Sequence, residues 1–170
     1  LCVPNSMNTQ IRSYAVAERN TNDGISMLQT ADGGAEQVHG LLTRMRELAV
    51  QASNGSMSSN DLTNIDAEYQ QNLQEIDRVA GSVQFNGINL LAGATASKTF
   101  QVGIGTASTD RIDVTFGGVD ATRLAVNGSS LTSFSNAQTS ITKLDTAIQS
   151  LSSTRAQFGA HVERLERLEA

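Results

Sequence analysis

Apolar residues recur at alternating intervals of three and four along two long parts of the chain. This spacing puts one side chain per turn on the same face of an α-helix and is typical of coiled-coil-like bundles. It predicts helices at about residues 8–54 and 131–168. The first series is Ile25, Leu28, Ala35, Val38, Leu42, Met45, Ala49 and Ala52, and the last is Phe134, Ala137, Ile141, Leu144, Ile148, Leu151, Arg155, Phe158, Val162 and Leu165.

A second helix is predicted between these two, at about residues 59–80. Ser59 or Asn60 can cap its N terminus, and Asp61 lies where the helix dipole favours a negative charge. Its apolar face consists of Leu62, Ile65, Tyr69, Leu73, Ile76 and Val79. Residues 84–93, which follow this helix, are expected to form a loop.

The period of the apolar positions changes to two at about residues 99–116. Phe100, Val102 and Ile104 alternate with other residues, as do Ile112, Val114 and Phe116 after a short polar turn. Two alternating runs around such a turn predict a β-hairpin. Residues 127–130, Asn-Gly-Ser-Ser, are expected to form a linker or a tight turn.

The last helix is too long for a globular fold of this size. Its roughly 38 residues would span about 57 Å at 1.5 Å per residue. A compact chain of 170 residues would be only about 40 Å across. The fold class predicted is therefore mainly α with a small β-hairpin, in which two N-terminal helices and one C-terminal helix form an elongated bundle with coiled-coil-like packing.

Composition argues for a structural unit. The net charge of −5 argues against a partner such as nucleic acid, and no apolar run is long enough to predict a membrane span. One Cys and two His cannot form a structural zinc site. His39 and His161 are expected at the surface, since neither has a partner at catalytic spacing. We therefore predict no enzyme activity and no cofactor.

The six residues before Met7 look foreign to the rest of the chain. Leu1–Ser6 lacks the helical periodicity and contains the one Pro and the one Cys of the sequence. We expect it to be an extraneous leader that precedes a single rod domain at residues 7–170. The sequence shows no signal peptide, so a secreted protein of this kind would need another export route.

A second line of side chains runs beside the apolar face of the first helix. Leu41, Arg44, Leu48 and Gln51 lie at helical spacing about 60° from that face. The line is either a wide core face with an arginine at its edge or a protein-binding patch of Arg beside an exposed Leu. Arg155, in an apolar slot of the last helix, presents the same choice, because its stem can lie along the rim with its head in water.

Several long motifs resemble bacterial flagellin. They are residues 19–33 (RNTNDGISMLQTADG), 44–55 (RMRELAVQASNG), 75–79 (EIDRV), 84–87 (QFNG) and 158–160 (FGA). The resemblance implies a rod in which the C-terminal helix packs back on the N-terminal segment. It also places Asn22–Asp23–Gly24 inside a helix, although local rules predict a turn there.

The resemblance also implies a function. Flagellin subunits stack into an extracellular filament for motility and are exported through its channel, and Toll-like receptor 5 recognises them. The terminal channel helices and outer domains of the family are not recognisable here, so we expect a truncated, monomeric chain. The positions that match the receptor motif are Arg44, Leu48 and Glu68, with Gln51 and Asn54 nearby and Arg164 less securely. The main alternative is a hook-filament junction protein. An enzyme on the same scaffold is a further alternative, which the lack of a recognisable hydrolase insert disfavours.

Overall fold

A computed structural model describes residues 2–93 and 96–169 of the chain. Within these ranges three α-helices pack together and carry two antiparallel two-stranded sheets, which confirms the predicted fold class. The elements are α1 (Cys2–Ala52), α2 (Ser59–Ser82), β1 (Gln84–Phe85), β2 (Ile88–Asn89), β3 (Ala96–Gln101), a 3-10 turn (Ser108–Asp110), β4 (Arg111–Phe116) and α3 (Phe134–Glu169).

The first helix begins earlier than the sequence predicts. Helix α1 starts at Cys2 instead of near residue 8, so most of the predicted leader continues the same helix. Position 4, the proline, lies in the first turn, where a missing backbone N–H breaks no helical hydrogen bond. Leu1 lies outside the described residues, and the extraneous origin of the leader and the single domain at 7–170 stay predictions. At 1.5 Å per residue, a helix of 51 residues is about 77 Å long.

Buried positions on α1 repeat every seven residues, which is the spacing that the apolar pattern predicts. One series is Ala17, Gly24, Ala31, Val38, Met45 and Ala52, and the other is Thr21, Leu28, Ala35, Leu42 and Ala49. Helix α3 presents Ala137, Leu144, Leu151, Phe158 and Leu165 to the same core. We call the two α1 series together the covered stripe. The prediction that Phe134 lies on the apolar face of α3 is wrong, because Phe134 is the first residue of that helix and is 59% exposed.

Helices α1 and α3 run antiparallel along this stripe. Gln138 donates to Ser53 near one end of α3, Arg46 pairs with Asp145, and Arg155 pairs with Asp32 further along. Gly24 explains why the local turn rule is wrong at Asn22–Asp23–Gly24. A Cβ at Gly24 would lie 3.0 Å from Cδ1 of Leu165. The glycine is therefore needed for close helix packing inside α1 and does not mark a turn.

Helix α2 begins with a capping box one residue before the expected caps. Ser58, rather than Ser59 or Asn60, accepts a hydrogen bond from the backbone N–H of Asp61. The carboxylate of Asp61 accepts in return from the backbone N–H of Ser58, and these hydrogen bonds lower the pKa of Asp61. Tyr69, Ile76 and Val79 on the predicted apolar face are buried.

The two small sheets are both antiparallel hairpins. Strands β3 and β4 form the predicted hairpin, with Phe100 opposite Ile112. Strand β3 ends at Gln101, so Val102 and Ile104 of the predicted alternating run lie in the connection between the strands. The expected loop at 84–93 is partly wrong, since β1 and β2 pair there around Asn86 and Gly87. Both of these residues have positive φ, 50° and 77°. An Asn-Gly pair favours this tight hairpin turn, and two-residue strands are too short to show a period.

Side chains of α2 hold the segment that connects β4 to α3. The carboxylates of Asp77 and Asp66 accept the backbone N–H groups of Ala121 and Leu131, each at 2.8 Å. The hydroxyl of Tyr69 lies 2.6 Å from that of Ser129, and burial raises the pKa of this tyrosine. The region expected to be a linker or a tight turn is therefore fixed on the bundle by specific hydrogen bonds.

Candidate interaction surface

The antiparallel packing of α1 and α2 brings Arg44 and Glu68 into contact. Nη2 of Arg44 lies 3.1 and 3.0 Å from the two carboxylate oxygens of Glu68, and Nη1 lies 3.2 Å from Oε2 of Glu47. The hydrogen bonds that Arg44 donates to Glu68, followed by the one that it donates to Glu47, raise the pKa of Arg44. The side chain of Arg44 is 49% exposed, so the guanidinium is fixed in position and still open to a partner.

Leu48 does not lie at the surface beside Arg44. It is 2% exposed and belongs to the core, while Leu41 is partly buried against the same core. The expected patch of Arg beside an exposed Leu is therefore wrong, and the wide core face with an arginine at its edge describes this part of α1. Leu48 lies on a third row of side chains along α1, the row that faces α2, so its side chain points into the core.

The other candidate residues divide into a near group and a distant one. Gln51 and Asn54 are exposed, and Gln51 lies two turns beyond Arg44 on the same side of α1. Arg164 is next to Leu165, which packs on Gly24. Gly24 and Arg44 are twenty residues apart on α1, which corresponds to about 30 Å. The structure thus groups Arg44, Glu68, Gln51 and Asn54, and separates Arg164 from them. We call these four residues the Arg44 surface.

A second surface, which the sequence did not single out, lies near the N terminus of α1. Met7, Ile11 and Tyr14 are 56%, 62% and 59% exposed and lie on one face of the helix. Met7 and Tyr14 continue the seven-residue series of Thr21 and Leu28, which are buried. We call these three side chains the exposed stripe. The seven-residue spacing is visible in the sequence, but the spacing does not show which of these side chains are exposed.

A shallow groove lies beside the exposed stripe. It has a volume of about 420 Å³ and runs between α1 and the end of β3. Its lining includes Arg12, Val16, Asn20, Gln101 and Ile104. Val16 and Ile104 are themselves exposed by more than two fifths. Apolar area thus surrounds this end of α1 on more than one side, which is typical of interaction sites.

The remaining polar candidates have structural roles. The guanidinium of Arg155 donates to both carboxylate oxygens of Asp32, so its head is paired and does not simply lie in water. His161 is half-buried, and burial followed by the charge of Arg164 lowers its pKa. Across residues 2–93 and 96–169, no cluster of acidic, His and Cys side chains could hold a metal ion. No helix in the same ranges is long and apolar enough to cross a membrane.

Comparison with known proteins gives one consistent family. The family described as the bacterial flagellin N-terminal helical region matches residues 1–96. The flagellin of Halalkalibacterium halodurans is 37% identical over 166 residues, which are 98% of this chain and 61% of that protein. The chain therefore spans about three fifths of the length of this curated relative. The family match includes the six residues that the sequence pattern assigned to a leader.

Solved structures support the same relationship. The crystal structure of Bacillus cereus flagellin matches with a TM-score of 0.76 and 34% identity over 89% of this chain and 88% of that one. A protein described as flagellar hook-associated, from Vibrio parahaemolyticus, also has a TM-score of 0.76. It covers 96% of this chain and 86% of its own, but it is only 13% identical. That second likeness shows a shared fold alone.

Proposed function

The chain belongs to the bacterial flagellin family, and on that premise we propose that it is part of a filament subunit. The subunit is not an enzyme. It stacks with other flagellin subunits into the extracellular flagellar filament and serves motility. The observations that carry this proposal are the match of the flagellin N-terminal helical region to residues 1–96 and the 37% identity to a flagellin. The exposed stripe of Met7, Ile11 and Tyr14 is the candidate contact surface, because all three side chains are more than half exposed.

An exposed stripe in a regular helix favours association with another helix. Apolar side chains that protrude from one face gain free energy when a partner removes them from water. A stripe that paired with its own copy would close as a dimer, so the proposal requires that the stripe meets a different surface of the second subunit. Such heterologous contacts do not close on themselves when the rotation between subunits is incomplete, and they generate open helical assemblies.

A chimera tests this proposal directly. Residues 1–170 would replace the matching part of the Halalkalibacterium halodurans flagellin, and its polymerisation would be followed by light scattering and electron microscopy. We expect filaments. Substitution of Met7, Ile11 and Tyr14 by Ser should abolish them. Val50→Ser, which removes an exposed apolar side chain near the other end of α1, should leave assembly nearly unchanged. A folded chimera that stays monomeric would contradict the proposal.

The hook-filament junction alternative is separated by the same experiment. A junction protein would cap or adapt existing filaments without extending them. The 37% identity to a flagellin, against 13% for the hook-associated structure, favours the filament subunit. We expect residues 1–170 alone to be monomeric in sedimentation, because a contact built on three exposed side chains falls short of the roughly 20 to 30 residues per partner in a stable interface.

We further propose that Toll-like receptor 5 recognises this chain through the Arg44 surface. The resemblance implies such recognition, and the contact between Arg44 and Glu68, two of the residues that match the motif, supports it. Glu47 and Glu68 fix the guanidinium of Arg44, so a partner would pay little entropy to order this arginine. Leu48 supports the surface from beneath, and Arg164 would meet a separate part of the receptor.

The receptor proposal is tested by binding to the isolated receptor ectodomain. Arg44→Ala should weaken affinity by about tenfold or more, the effect of losing a central arginine anchor. Arg78→Ala is the matched control, because Arg78 also pairs with a glutamate on an exposed helix face, three residues from Glu75. Circular dichroism should show that both variants stay folded. Equal affinity of Arg44→Ala and the unmodified chain would remove this proposal.

A further inference from the structure

The turn between α1 and α2 contains an asparagine followed by glycine. Asn54 is exposed and lies two residues beyond the end of α1. Its side-chain oxygen, Oδ1, accepts two hydrogen bonds from one residue, Ser56. The backbone N–H of Ser56 donates at 3.1 Å and the hydroxyl donates at 3.0 Å. These bonds fold the amide of Asn54 back over the peptide that joins it to Gly55.

We propose that Asn54 is a site of spontaneous conversion to aspartate and isoaspartate, promoted by Ser56. The backbone nitrogen of Gly55 attacks Cγ of Asn54 and loses its proton. The bond from Cγ to Nδ2 breaks, and Nδ2 leaves as ammonia with that proton. The resulting cyclic imide then takes up water at either carbonyl carbon, which gives aspartate or isoaspartate.

The geometry at Ser56 favours the attack step. Negative charge develops on Oδ1 of Asn54 when the nitrogen of Gly55 adds to Cγ. The two donors of Ser56 already point at this oxygen, so they stabilise the charge without rearranging. Donors placed in this way are the arrangement by which acyl-transfer sites lower their barriers. Gly55 adds no Cβ to hinder the approach, and a side chain there would meet nothing within 4 Å.

The chain offers two matched comparisons. Asn86 and Asn127 also precede glycines, Gly87 and Gly128. Within the described residues, neither side-chain oxygen accepts a hydrogen bond comparable to the pair from Ser56. Asn86 is also held in the β1–β2 turn with a φ of 50°. Asn54 should therefore convert faster than the other two, and the new carboxylate would add negative charge beside the Arg44 surface.

Peptide mapping by mass spectrometry of the full chain, incubated at mildly alkaline pH, tests the proposal. We expect Asn54 to convert at least about tenfold faster than Asn127. Ser56→Ala, which removes the hydroxyl donor and keeps the backbone N–H, should take away a clear part of this advantage. The rate at Asn127 should not change in that variant, which excludes a general loss of structure. Hydroxylamine, which cleaves cyclic imides, should cut after Asn54 first. Equal rates at Asn54 and Asn127, or no effect of Ser56→Ala, would overturn the proposal.

Discussion

Two stretches of the same helix have the same spacing of side chains and opposite surroundings. Along residues 17–52 of α1, the seven-residue series is buried beneath α3 and the sheets. Along residues 6–16, the continuation of the series at Met7 and Tyr14 is more than half exposed. Periodicity therefore shows which face of a helix can be buried, while the position of the partner decides where it is buried.

The covered stripe combines large side chains, Leu28, Leu42 and Met45, with small ones. The covered stripe includes Gly24, Ala31 and Ala35, which let the backbones of neighbouring elements approach closely. The exposed stripe carries Met7, Ile11 and Tyr14, which are large and protrude. Large side chains need a partner that is further away or has a cavity to receive them.

The largest expected effect contrasts the same heptad position in the two stretches. Leu28 is fully buried, and Leu28→Ala should lower the free energy of unfolding by about 2–5 kcal/mol because it leaves a cavity. Met7 lies three heptads earlier, and Met7→Ala should change stability by less than about 0.5 kcal/mol. Denaturant unfolding of the two variants measures both values. Similar losses in the two variants would contradict the contrast in coverage.

A smaller effect contrasts two glycines on different faces of α1. A Cβ at Gly34 would lie 2.5 Å from Cγ2 of Val83, whereas a Cβ at Gly40 would meet nothing within 4 Å. Gly34→Ala should therefore destabilise the chain by about 1–3 kcal/mol through overpacking. Gly40→Ala should stabilise it by up to about 1 kcal/mol through helix propensity. Thermal unfolding in parallel distinguishes the signs, and stabilisation by both substitutions would mean that Gly34 is not covered.

The smallest expected effect is a pH dependence of the free energy of unfolding that arises from His161 on α3. Burial, and then Arg164, lowers the pKa of His161, so the unfolded chain binds a proton more readily than the folded one. Stability should therefore fall as the pH decreases through the ordinary histidine pKa of 6.5 and level off below the lowered pKa. His161→Gln should reduce this slope in unfolding curves between about pH 7.5 and pH 5.5. An unchanged slope in the variant would show that His161 is not desolvated there.

Much of the bundle could be predicted because the spacing of apolar residues in the sequence directly reflects which helix faces are packed. Leu28, Val38, Leu42 and Met45 are buried as their spacing indicates. The local turn rule is wrong at Gly24 because it considers only neighbouring residues in the sequence, whereas Leu165 of α3 packs against this glycine. The spacing of apolar residues is a local pattern, whereas the contact between Gly24 and Leu165 joins residues far apart in the chain.

The candidate surface was less predictable for the same reason. The contact of Arg44 with Glu68 follows from antiparallel helices, so it could be anticipated. The burial of Leu48 depends on how α2 rotates against α1, and the sequence pattern does not fix that rotation. The hydrogen bonds that join Asp66, Tyr69 and Asp77 with the segment before α3 also connect distant residues. No periodicity reports bonds of this kind.

Amide hydrogen exchange of the chimera, measured before and after assembly, tests the central claim most directly. In the unassembled state, residues 6–16 of α1 should exchange fast and residues 27–49 slowly, because only the second stretch is covered. After assembly, residues 6–16 should gain protection while residues 27–49 change little. Protection of residues 6–16 that is already complete before assembly, or that never appears in the filament, would contradict the claim that another subunit covers the exposed stripe.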